Sequence, residues 1–125
     1  MSKKMILIID DEIDMCHLIK DMLEDTGEFE VEMETLGRQA VAAARRVKPD
    51  LVLLDVMLTD IEGGEVAQIM GSDPGLKDIP VVFLTGIVSE DDINKRGGRI
   101  GGRPFIAKPT AREKLIGVIR ENLKQ

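Results

Sequence analysis

Leu51-Val52-Leu53-Leu54-Asp55 constrains this chain most: four apolar residues without a break, then a carboxylate. An apolar run with no polar alternation suits a strand buried on both faces, as in a parallel sheet covered by helices on either side. Ligands of open parallel sheets bind just beyond the carboxyl ends of the strands. Asp55 is therefore a site candidate by position. Met5–Ile9 repeats the pattern, an apolar run closing on Asp10 and Asp11, and Pro80–Leu84 ends at Thr85-Gly86.

Helical spacing fills the intervals. Residues 14–25 place Met15, Leu18, Ile19, Met22 and Leu23 on one face, and Thr26-Gly27 stops the helix. Phe29–Glu34 alternates apolar and acidic residues, as a half-exposed edge strand does. A second helix over 36–47 carries a small-residue face of Ala40, Ala43 and Ala44, ended by Pro49-Asp50. Gly63-Gly64 leads into a short third helix reaching Met70. Ser89 caps a fourth helix whose continuation holds Gly97, Gly98, Gly101 and Gly102, so that helix is expected to be short or frayed. Phe105–Ala107 gives a fifth strand, with Pro104 tolerable at a sheet edge. Thr110 and Glu113 have the spacing of a capping box for a fifth helix that buries Leu115, Ile116, Ile119 and Leu123. Alternating strands and helices describe an α/β fold with a parallel sheet and right-handed crossovers, strands one, three and four in the middle.

The 125 residues suit a single domain spanning 1–125. A net charge of −6 argues against a nucleic-acid or anionic-membrane partner. The apolar runs are too short to cross a bilayer, and no signal-peptide pattern opens the chain. Cys16, the one cysteine, cannot form an internal disulfide, which fits a reducing cytoplasm. It is read as half-buried filler, and His17 as solvated beside Lys20, Asp21 and Glu24.

Polar residues thus close four strands: Asp10 with Asp11, Asp55, Thr85, and Lys108. Gathered at one sheet edge, the carboxylates repel, and burial sharpens the conflict. A hard divalent cation resolves it; Mg²⁺ takes oxygen ligands and is usually held by one or two carboxylates plus a phosphate. Lys108 adds a positive point charge and Thr85 a hydroxyl. The set describes a phosphoryl-transfer site, where catalysis is mostly positioning and charge neutralisation, with the central acid Asp55 as acceptor.

Asp10-Asp11, Asp55, Thr85 and Lys108-Pro109, in this order on these elements, resemble the receiver domain of bacterial two-component response regulators (CheY-like), over essentially the whole chain. That resemblance implies a three-layer, flavodoxin-like fold with five strands in the order 2-1-3-4-5 and five helices. It also implies phosphoryl transfer from a histidine kinase or phosphotransfer protein onto Asp55. Asp11, Asp55 and the Met57 carbonyl would ligate Mg²⁺, with Asp10 acting largely through water. Lys108 would pair with the phosphoryl oxygens, Thr85 would turn toward them, Phe105 would stand at the aromatic switch position, and Lys108-Pro109 would be cis. Downstream partners, an output domain or a second copy of the chain, would dock on the helix 4–strand 5–helix 5 face. Thr59 and Glu62 replace the proline and aspartate common in the family, which should loosen the loop after Asp55. Phe105 lacks the hydroxyl of the commoner tyrosine.

Three other functions compete. A haloacid-dehalogenase-type phosphatase also uses an aspartyl phosphate and Mg²⁺, but it needs an acid two residues past its nucleophile, where Met57 stands. A flavodoxin-type FMN site would be repelled by Asp10-Asp11-Glu12. A receiver turned constitutive binding module is disfavoured by the full set of key residues.

Overall fold

The computed structural model describes residues 3–86, 89–95, 97, 99–100, 103–108 and 110–123. The unbroken apolar runs form the middle of the sheet. β1 (Lys4–Ile9), β3 (Leu51–Asp55) and β4 (Val81–Thr85) lie side by side, flanked by β2 (Phe29–Glu34) beyond β1 and by β6 (Arg103–Ala107) beyond β4. These five strands are parallel, so the expected order is present, with β6 as the fifth parallel strand. A two-residue strand, β5 (Arg99–Ile100), adds an antiparallel sixth at the far edge, pairing Arg99 with Pro104 and Ile100 with Arg103. Arg99–Ile100 thus lies antiparallel along β6, and Pro104 sits one strand in from the edge.

Successive strand residues point to opposite faces, which divides the core in two. Ile6, Ile8, Leu51, Leu53, Val82, Leu84 and Ile106 pack toward α1 (Ile13–Glu24) and α5 (Arg112–Asn122). Leu7, Ile9, Val52, Leu54, Val81 and Phe83 pack toward α2 (Ala40–Val47) and α3 (Gly63–Ser72). The alanine face of α2 is fully buried, as its small residues anticipate, and a 3₁₀ turn over Gly37–Gln39 precedes that helix. α4 (Glu90–Lys95) is six residues long, with Ser89 Oγ accepting the Asp92 N–H at 3.1 Å, so it is short and capped as expected.

Some expectations are corrected. Cys16, Ile19 and Leu23 form the inward stripe of α1, while Leu18 is 48% exposed, one helical step off that stripe. Cys16 is fully buried rather than half-buried, and its thiol donates to the Asp10 carbonyl at 3.3 Å. Burial first, then the charge of Asp10, pushes the thiol up to about 12, so it is inert at neutral pH. His17 is exposed, but Lys20 and Glu24 are not merely solvated. Lys20 Nζ donates to the Val31 carbonyl at 2.9 Å and Glu24 accepts the Val31 N–H at 3.1 Å, which seals the outer edge of β2. The capping box of α5 does not form. Ala111 is the N-cap, so Glu113 falls at the second helical position instead of the third, and the Thr110 hydroxyl donates to the Ala111 carbonyl.

Candidate functional site

Strand register brings the candidate residues to one level. Ile9 pairs with Leu54, Asp55 with Leu84, and Thr85 with Ala107, so Asp10, Asp55, Thr85 and Lys108 leave the sheet side by side. Asp10, Asp55 and Thr85 are all buried. The Lys108 N–H donates to the Thr85 carbonyl at 2.7 Å, which directs the lysine across the strand ends.

Its ammonium lies 2.9 Å from Asp10 Oδ2, 2.9 Å from Glu12 Oε1 and 3.3 Å from Asp55 Oδ2. Asp10 Oδ1 accepts the Glu12 N–H at 2.9 Å, and Asp55 Oδ1 accepts the Met57 N–H at 3.2 Å. Asp55 is pushed up to about 6 by burial and by the negative charge of Asp10, against the pull of Lys108. For Lys108, burial works against the charged form, but hydrogen bonds to Glu12 and Asp10 and attraction to both aspartates hold it above the usual lysine range. The geometry therefore keeps a fixed cation beside a carboxylate that ionises reluctantly.

Asp10, Asp11, Glu12 and Asp55 each offer an oxygen within 4.8 Å of the others. Four carboxylates against one ammonium leave excess negative charge, and every donor is a hard oxygen. That donor set fits Mg²⁺. Glu12 was not a candidate from the sequence, because an acid just ahead of a helix reads as a partner for the helix dipole. Thr59 was missed as well; its hydroxyl donates to Asp11 Oδ2 across 48 residues of chain.

The connection after Asp55, expected to be loosened by its two departures, is held by several contacts. Met57 and Glu62 form a bridge, Asp60 accepts two backbone N–H groups of the 3₁₀ turn, and Gly63 lets α3 begin so close that a Cβ there would overlap the Asp55 carbonyl oxygen. Phe105 is half-buried and stacks on Phe83, with ring centroids 5.0 Å apart and the Arg103 guanidinium 6.0 Å above the Phe83 ring. Ile87, expected from the sequence to flank a phosphoryl group on Asp55 together with Met57, lies outside the described residues, as do Pro109 and its preceding bond, and Gly98, Gly101 and Gly102.

The family model for the response regulator receiver domain matches residues 6–120. The chain belongs to the response-regulator receiver domain family. It is 31% identical over 123 residues to the polar-differentiation response regulator DivK of Brucella ovis, covering 98% of both chains. It is equally similar, 31%, to the DNA-binding response regulator MtrA of Mycobacterium tuberculosis, where the match covers 98% of this chain and 52% of that one. The chain thus spans about half the length of the MtrA relatives. The chemotaxis protein CheY4 of Vibrio cholerae superposes with a TM-score of 0.82 at 26% identity, covering 98% of this chain and 100% of the other. Receivers are signalling domains of two-component systems that work with histidine kinases and output partners and hold Mg²⁺ in an acidic pocket, and this chain has such a pocket. Among the described residues, no helix is long and apolar enough to cross a membrane.

Proposed function

We propose that residues 1–125 act as one cytoplasmic receiver unit in which Asp55 accepts a phosphoryl group from the phosphohistidine of a histidine kinase or phosphotransfer protein. The observation that carries this reading is Lys108 Nζ, held 3.3 Å from Asp55 Oδ2 and 2.9 Å from Asp10 Oδ2 at the level strand ends. In the transfer, an Asp55 oxygen forms the new bond to phosphorus as the bond from phosphorus to the imidazole nitrogen breaks. Asp11, Asp55 and the Met57 carbonyl would hold Mg²⁺, with Asp10 acting through water. Bound there, the ion supplies charge neutralisation for the phosphoryl oxygens.

Lys108 pairs with the transferred group and leaves Glu12 to do so. Thr85 turns its hydroxyl toward the phosphoryl oxygens, and Phe105, with no hydroxyl of its own, answers by repacking against Phe83. That shift remodels the face of α4, β6 and α5, where an output partner, an output domain or a second phosphorylated copy would dock. The phosphatase alternative is not favoured: Met57, two residues past Asp55, is 60% exposed and offers no proton.

Incubation with Mg²⁺ and acetyl phosphate should label one aspartate per chain, and Asp55→Asn should take no label. Labelling of that variant to the wild-type level would overturn the assignment. Met57 also bears on lifetime, since an apolar side chain beside the aspartyl phosphate cannot orient an attacking water. Met57→Asn should speed loss of the phosphoryl group several-fold, read by the decay of intact phosphoprotein; an unchanged decay would remove the shielding role.

A further inference from the structure

Two consecutive residues after Asp55 reach in different directions, and together they tie three loops. Asp60 Oδ1 accepts the Gly37 N–H at 3.0 Å and Asp60 Oδ2 accepts the Arg38 N–H at 2.9 Å. Both amides stand at the start of the 3₁₀ turn, where N–H groups lack partners within the turn itself. The Arg38 bond first, aided by Gly37, holds the Asp60 carboxyl below the ordinary carboxylate range. Gly37 makes the approach possible, because a Cβ there would overlap an Ile61 methyl and stand 2.8 Å from Leu58 Cδ1. The loop is therefore pressed against the connection between β2 and α2. One residue earlier, the Thr59 hydroxyl rests on Asp11 Oδ2.

We propose that Thr59 is a positioning residue for the metal: Asp60 anchors the loop on Gly37 and Arg38, and so holds the Thr59 hydroxyl on one oxygen of Asp11 and leaves the other to face the cation. This rests on the reading above that Asp11 is a Mg²⁺ ligand. A carboxylate beside three other acids would otherwise swing away from them. A hydroxyl donated to Oδ2 fixes its rotation and offsets part of its charge, as hydrogen bonds to metal-ligating carboxylates do. A proline, common at this place in the family, closes a loop but has no donor. In this chain, the same position holds the loop and orients a ligand.

Calorimetric titration of the whole chain with Mg²⁺ tests this, with Mn²⁺ binding by electron paramagnetic resonance as a second measure. Thr59→Val should bind either ion about tenfold more weakly, the lower end of what losing such an outer partner costs. Thr59→Ser should bind like wild type, and Asp60→Ala should weaken binding as Thr59→Val does. Combined with Asp11→Asn, Thr59→Val should cause no further loss, since its object is gone. Wild-type affinity in Thr59→Val, or an additional loss in the double variant, would overturn the inference. If the wild-type chain bound neither ion, the metal site itself would fall, and the positioning role with it.

Discussion

Lys108→Met should destabilise the chain by roughly 3–5 kcal/mol at pH 8 without Mg²⁺, the cost of removing one partner from a buried ion pair. The lysine side chain is 7% exposed, and it touches Asp10, which is fully buried, and Asp55, which is nearly so. Methionine fills a similar volume, so the loss is of charge and not of packing. Asp10 and Asp55 would then face each other without a cation between them. Such a loss should lower the urea midpoint by about 1–5 M, given slopes of 1–3 kcal/mol per molar for small domains.

Two conditions should return much of it. Millimolar Mg²⁺ would supply the missing positive charge, so its stabilising effect should be larger in Lys108→Met than in wild type. Lowering the pH to 5.5 should also help, because Asp55, already pushed up to about 6 beside the lysine, would take up a proton. A midpoint equal to wild type at pH 8 in a chelator would mean that Lys108 does not neutralise this cluster.

The architecture was legible because burial on both faces writes itself into sequence as unbroken apolar runs. Leu51–Leu54 and Met5–Ile9 could only be central strands, and the acids and hydroxyl that close them inherit their position from the sheet. What escaped detection follows from contacts with no local trace. Nothing near Asp60 announces that its carboxylate meets amides 22 and 23 residues away, or that Thr59 meets Asp11. The substitutions at 59 and 62 read as a loosened loop because a lost proline is visible in the sequence and the loop's hydrogen bonds are not. The β5–β6 pairing was hidden for a different reason. Glycine carries no side-chain pattern, and a strand of two residues, Arg99–Ile100, is too short for period-based reading to register. In α5, a shift of one residue put a correctly spaced Thr-Glu pair out of register with the helix it was read to cap.

Asp55→Asn should make the chain more stable in the absence of Mg²⁺, and by an amount that depends on pH. Asp55 has its carboxyl pushed up to about 6, chiefly by burial and next by Asp10, whereas an unfolded chain titrates it near 3.9. Between those values the folded state binds more protons than the unfolded state. Stability from this group therefore rises as pH falls from 7 toward 4, opposite to a carboxylate that the fold has salt-bridged to advantage. Above pH 7 the ionised side chain costs the fold roughly 2–3 kcal/mol, at 1.36 kcal/mol per unit of pKa.

Asparagine keeps the shape and cannot ionise. The variant should exceed wild type by roughly 2 kcal/mol at pH 7.5 in a chelator, and the two should converge near pH 4. Lys108 retains Asp10 and Glu12 in the variant, so no buried charge is stranded. Saturating Mg²⁺ should close the gap from the other side by stabilising wild type, which binds it, more than the variant, which lacks one ligand. Urea unfolding of both chains across pH 4–8, with and without Mg²⁺, reads all three effects. An Asp55→Asn chain less stable than wild type at pH 7.5 without metal would show that Asp55 is held as a contented ion pair. A site built to receive a phosphoryl group and a dication needs the opposite, a charge that the empty fold tolerates poorly and that its ligands relieve.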